Sequence, residues 1–108
     1  FGDEGSDVDV YVTLRSDDVT ARTVRLASTL RAAGLRVDLH PEADKLRKQL
    51  SAAAERGARF ATIMGAREVQ AGTVAVKDLD AQEQTEVPLA EAADFIQARL
   101  SLRSTSIT

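Results

Sequence analysis

Residues 44–79 constrain the fold of this chain more than any other stretch. They read as helix, strand, tight turn and strand, and a glycine or a charged pair marks each junction. Gly57 ends the helix, Gly65 ends the first strand, Glu68 lies in the turn, Gly72 restarts the chain and Lys77-Asp78 closes the second strand. Phe60 to Met64 is apolar without interruption, the pattern of a central strand covered on both faces. The short link from 65 to 72 has no room for a crossover helix, so the strand after it, Thr73 to Lys77, is expected to pair antiparallel.

The flanking segments supply the rest of a sheet. Val8, Val10, Val12 and Leu14 alternate strictly and predict a strand over 8–14. Ser16-Asp17-Asp18 offers a cap and acids for a helix start, and Val19, Thr23, Leu26, Ala27, Leu30 and Ala33 recur at helical spacing up to Gly34. Leu35, Val37 and Leu39 predict a second short strand ended by Pro41. In the helix that follows, Leu46, Leu50, Ala53 and Ala54 form the expected buried stripe. Asp80-Ala81-Gln82 reads as a turn and Gln84 to Val87 as an edge strand ended by Pro88. Leu89, Ala92, Ala93, Ile96 and Leu100 define a third helix.

The order β-α-β-α-β-β-β-α predicts an α/β fold. It is a three-layer α/β/α domain with a mixed five-stranded sheet and three helices, the first three strands parallel through right-handed crossovers. With 108 residues the chain makes one domain. Residues 1–7 read as a linker remnant, 8–102 as the domain and 103–108 as a frayed C-terminal tail. A start at Phe1 rather than Met fits a domain cut from a longer protein.

Charge is unevenly distributed. The net charge of −3 is unusual for a dedicated nucleic-acid binder. Yet Arg47, Lys48, Arg56, Arg59, Arg67 and Lys77 all fall in the centre, while the acids gather towards both ends. Only the centre can present a positive face. There is no cysteine, which excludes disulfides and thiolate metal sites. No apolar run approaches the roughly 20 residues of a membrane helix.

Catalytic chemistry finds little to work with. His40 is the one histidine and sits beside Pro41 at a strand exit, where a solvated loop histidine is the simpler reading. No phosphate-binding glycine loop follows the first strand, and Ser16-Asp17-Asp18 there would repel a phosphate. Asp78 and Asp80 read as a solvated strand end rather than an acid–base pair. The chain therefore predicts no catalytic residue, no metal site and no cofactor of its own.

The central segment resembles the C-terminal anticodon-binding domain of histidyl-tRNA synthetases. Lys45-Leu46-Arg47-Lys48-Gln49 is similar to that family's basic helix ending in Lys-Gln, and Gly57-Ala58-Arg59 to its helix exit. Gly65-Ala66-Arg67-Glu68-Val69 resembles its Gly-x-x-Glu turn, with Ala66 where the family commonly has Glu. Gly72 to Leu79 and Glu83-Gln84 complete the pattern, and weaker agreement runs from Val8 to about Leu100. The resemblance implies a module that binds tRNA(His) and neither DNA nor a membrane. It implies a cytoplasmic parent enzyme, a homodimeric histidine–tRNA ligase, whose separate catalytic domain uses ATP and Mg.

Within that reading the candidate RNA-binding residues are Glu68, Lys77, Gln49, Lys48, Arg47 and Arg67. Glu68 is an acceptor for base N–H groups, Lys77 a donor to a base carbonyl or phosphate, and Gln49 is both. Arg47, Lys48 and Arg67 position the RNA backbone without specifying sequence. Gly65 is expected to bring Glu68 near the end of the strand that carries Lys77. The competing reading for each is ordinary: a carboxylate that holds its own turn, solvated helix charges, an amide bonded to the helix or a neighbouring strand. Ala66 and the acidic balance support an alternative in which the same fold serves as a protein-interaction or regulatory module.

Overall fold

The structure, a computed structural model, describes residues 8–15, 19–40 and 44–107. The strands are β1 (Val10–Val12), β2 (Val37–Leu39), β3 (Phe60–Ile63), β4 (Thr73–Asp78) and β5 (Glu83–Pro88). The helices are α1 (Thr20–Ala32), α2 (Leu46–Glu55), α3 (Ala66–Ala71) and α4 (Ala92–Ile107), the last preceded by a 3-10 turn at Leu89–Glu91. The sheet order is β2-β1-β3-β4-β5. β1 pairs parallel with β2 and β3, and β4 is antiparallel to both β3 and β5. This is the mixed five-stranded sheet that the segment order predicts.

A fourth helix is the main departure. The segment read as a tight turn is α3, a single six-residue helix. Glu68 at its third position bonds back to the Gly65 N–H, 2.9 Å from oxygen to nitrogen, which closes the first turn. Gly72 ends it at φ 73°, a left-handed conformation that disfavours any side chain. At the other end of the chain the backbone stays helical to Ile107, past residue 102, because neither Gly nor Pro interrupts the sequence there. The linker at 1–7, the cap at Ser16-Asp17-Asp18 and the stop at Pro41 lie outside the described residues.

Each face of the sheet has its own core. Val10, Val12, Phe60, Val74, Val76 and Val87 meet Leu26, Ala27, Leu30, Ala92 and Ile96 of α1 and α4 on one side. Tyr11, Ala53 and Ala58 form a smaller cluster beneath α2 on the other. Being covered on both sides, β1 buries Tyr11 as fully as its neighbours, and the alternation in sequence does not become an alternation in exposure. The stripe of α2 also differs from expectation. Gln49 and Ala53 are its buried residues, Leu46 and Leu50 are half-buried and Ala54 is exposed.

The reason lies in the width of the sheet. α2 packs over β1 and β3 and leaves the same face of β4 and β5 at its flank. Pairing register puts Lys77 opposite Ala61 on one side and Gln84 on the other. That face of the outer strands, with Lys77, Gln84 and Glu86, therefore lies beside α2 rather than under it. The step between them is a groove.

Candidate nucleic-acid interface

The groove between α2 and the end of β4 is open and holds about 490 Å³. Leu46, Leu50 and Leu79 supply apolar surface, and Arg47, Lys77 and Gln82 supply polar groups. A neighbouring depression over the outer face of α2 shares Arg47 and Ser51 and adds Lys45 and Lys48. Three of the six sequence-predicted residues, Arg47, Lys48 and Lys77, thus meet on one surface.

Ion pairing decides which cations remain available. Arg56 binds Asp38 at 2.8 Å. Arg59 is held by Asp78 at 3.0 and 3.1 Å. Arg67 lies 3.2 Å from Glu68 and 3.1 Å from Glu86. Lys48 reaches Asp44 at 3.7 Å with most of its side chain in solvent. Among the described residues Lys45, Arg47 and Lys77 enter no ion pair. The central run of basic residues is therefore largely neutralised, and its free charge is concentrated at the groove.

The helix that carries Arg47 and Lys48 is pinned to the sheet by Gln49. Its side chain is fully buried. Oε1 accepts from the Leu14 N–H at 2.7 Å, and Nε2 donates to the Leu14 and Asp44 carbonyls, each at 2.8 Å. All its usual hydrogen-bonding capacity for RNA is spent on backbone, so the expectation that Gln49 contacts a base is corrected: it positions α2. The signal was present in the sequence, since Gln49 falls between Leu46 and Ala53 on the buried side of the helix.

His40 is corrected in the same way. It is not a solvated loop histidine; only 12% of its side chain is exposed. Nδ1 shares a 2.6 Å hydrogen bond with the Tyr11 hydroxyl, and Nε2 lies 3.6 Å from Asp44. Burial, then the Asp38 carboxylate, push the Tyr11 hydroxyl above the ordinary tyrosine range, against the opposing pull of Arg56. The Lys45 N–H holds the Asp44 carboxyl below the usual range despite some loss of solvation, with smaller help from Lys48 and His40. These contacts, which sequence reasoning missed, fasten the first turn of α2 to β1.

Glu68 and Arg67 stand elsewhere. They line a separate depression of about 370 Å³ with Arg15 and Gly65. α3 leads into β4 at Thr73, whereas Lys77 is four residues further along that strand. At about 3.4 Å per residue, about 14 Å of strand separates Thr73 from Lys77. The expected juxtaposition of Glu68 with Lys77 is therefore corrected, because a helix rather than a tight turn joins the strands. The Glu68 carboxylate spans Gly65 and Arg67. Arg67 continues to Glu86, which also takes the Thr73 hydroxyl at 2.5 Å. Thr73 and then Arg67 hold the Glu86 carboxyl below its ordinary range. This chain of contacts braces α3 against β5.

Asp78 is a further correction. It is 4% exposed rather than solvated, and besides Arg59 it accepts the backbone N–H groups of Asp80 and Ala81 at 3.0 and 3.1 Å. It shapes the β4–β5 turn and thereby sets where Leu79 and Gln82 enter the groove.

Comparison with known proteins places the fold in a family. The profile of the family described as anticodon binding domain covers residues 9–99. The chain is 42% identical over 92 residues to a histidine–tRNA ligase of Geobacillus thermodenitrificans, covering 85% of this chain and 22% of that protein. It is 41% identical over 93 residues to one of Mycobacterium tuberculosis, covering 86% of this chain and 22% of the relative. It therefore spans about a fifth of the length of these relatives. A solved histidyl-tRNA synthetase from Nostoc superposes with a TM-score of 0.84 at 38% identity, over 87% of this chain and 23% of that one. The RNA binding domain of a threonyl-tRNA synthetase from Cryptosporidium parvum has the same fold, with a TM-score of 0.79 at 14% identity over 85% of this chain and 23% of that one.

Proposed function

Because the chain belongs to the anticodon binding domain family, we propose that it binds the anticodon loop of tRNA(His) through the groove between α2 and β4. The observation that carries the reading is that Arg47 from α2 and Lys77 from β4, both without an ion-pair partner among the described residues, converge on one open, apolar-lined groove. Sequence-specific RNA readers grip unstacked bases of loops, and an anticodon is such a loop. The apolar surface of Leu46, Leu50 and Leu79 suits the faces of such bases. Arg47 offers a planar fork to phosphate, Lys77 a point charge, and Lys45 and Lys48 a rim along which the RNA backbone runs.

The likeness to histidine–tRNA ligases supports placing this domain in such an enzyme. Its parent then acts as a cytoplasmic homodimer. A separate catalytic domain, supplied with ATP and Mg, attaches histidine to the tRNA that this domain holds. This chain contributes grip and selection, and none of its residues is assigned a chemical step.

An NMR titration of the 108-residue chain with an anticodon stem-loop of tRNA(His) tests the groove. The largest amide shifts are expected at Arg47, Lys48, Ser51, Lys77 and Leu79. Shifts confined to α1 and α4, on the opposite face of the sheet, would overturn the assignment.

A further inference from the structure

Gln82 is the one non-glycine residue with a positive φ, 58°, among the described residues. Residues other than Gly, Asn and Asp rarely adopt this left-handed conformation. A β4–β5 turn alone is served better by glycine. A residue kept in a disfavoured conformation calls for a reason in what its side chain does.

The side chain reaches the groove described above, which it lines with Arg47 and Lys77. Its Nε2 donates to the Leu79 carbonyl at 2.7 Å, which fixes the plane of the amide. Its Oε1 makes no hydrogen bond among the described residues. Arg47 and Lys77 are donors only. They can grip a phosphate or a base acceptor, but they cannot recognise the N–H by which one base edge differs from another. The Ser51 hydroxyl oxygen also lines the groove, but Gln82 Oε1 belongs to an amide whose plane a hydrogen bond already fixes, so it presents an oriented side-chain acceptor to the groove.

We infer that Gln82 is a base-reading residue: its Oε1 accepts an N–H from the edge of an unstacked RNA base seated in the α2–β4 groove. Arg47 or Lys77 donates to a neighbouring acceptor of the same base, giving a paired pattern that a wrong base breaks. This rests on the proposed binding of RNA in that groove and adds the residue that makes it selective.

The test uses the 108-residue chain and fluorescein-labelled anticodon stem-loops of tRNA(His), the natural loop and single-base replacements at each anticodon position. The parent chain should disfavour replacement at one position by about tenfold or more, the scale of a lost base contact. Gln82→Gly suits the backbone, so its thermal midpoint should equal or exceed the parent's. It should nevertheless lose most of that discrimination while its salt dependence, set by phosphate contacts, stays the same. Gln82→Asn tolerates the same backbone and is one methylene shorter, and should lose it too. If the parent binds RNA and either folded variant discriminates as well as the parent, the inference fails and the groove assignment stands. If the parent discriminates at no position, the inference likewise fails. If the parent does not bind these RNAs at low salt, the proposed function fails and this inference with it.

Discussion

Arg59 and Asp78 form a two-pronged ion pair, 3.0 Å from Nε to Oδ1 and 3.1 Å from Nη2 to Oδ2, that ties the entry of β3 to the exit of β4. The same carboxylate caps the turn that carries Gln82, so one buried group links the sheet to the lip of the groove. Burial alone would raise the Asp78 carboxyl, but Arg59 and the Ala81 and Asp80 N–H groups outweigh it and hold it below the ordinary range.

That arrangement has a defined acid signature. A carboxyl depressed in the folded chain contributes stability that is fully present above its unfolded value, about pH 4, and is lost as pH falls through the lower folded value. Asp78→Asn should cost on the order of 3 kcal/mol at neutral pH, the low end for breaking a buried pair, since Asp80 also lies near Arg59. It should also flatten the fall in stability below pH 4. Urea unfolding of both chains from pH 2 to pH 7 measures this; parallel curves would refute it.

Gln49→Ala removes an amide that satisfies three backbone groups, two of them on Leu14. Leaving buried backbone groups unpaired should lower stability by about 3 kcal/mol. Because Gln49 holds α2 rather than RNA, affinity measured below the melting transition should fall alike for cognate and altered loops. A selective loss for the cognate loop would show instead that the amide reads a base.

Glu68 is assigned to the start of α3. Glu68→Ala should cost about 1 kcal/mol through loss of the cap. Glu68→Gln keeps an oxygen for the Gly65 N–H and should recover most of that, with discrimination between anticodons equal to the parent's. Thermal denaturation with paired binding curves checks both. Eroded discrimination in a stable Glu68→Gln chain would return this residue to the RNA contacts.

Much of the fold was legible because its signals are local. The unbroken apolar run at Phe60 to Met64 and Gly57 after α2 placed a central strand and the helix before it. α3 escaped because six residues with Val69 as the apolar anchor show no periodicity. The Gly65-x-x-Glu68 spacing of a capping box, closed by Gly72, was the usable sign. The site was less legible. Which cations stay free depends on pairs such as Arg59 with Asp78 and Arg67 with Glu86, each nineteen residues apart and brought together by the register of β3, β4 and β5. The exposure of Leu46 and Leu50 depends on how far α2 reaches across the sheet. Sequence spacing within α2 is silent on both.

Whether the α2–β4 groove grips RNA is read from the salt dependence of binding. The parent chain, Arg47→Ala and Lys77→Ala would be titrated with the tRNA(His) anticodon stem-loop by fluorescence anisotropy at several salt concentrations. With about three phosphate contacts the parent should show a log–log slope of roughly −2, and each variant that loses one should flatten it by about 0.7 while binding more weakly. Folded variants with the parent's affinity and slope would place RNA binding away from this groove.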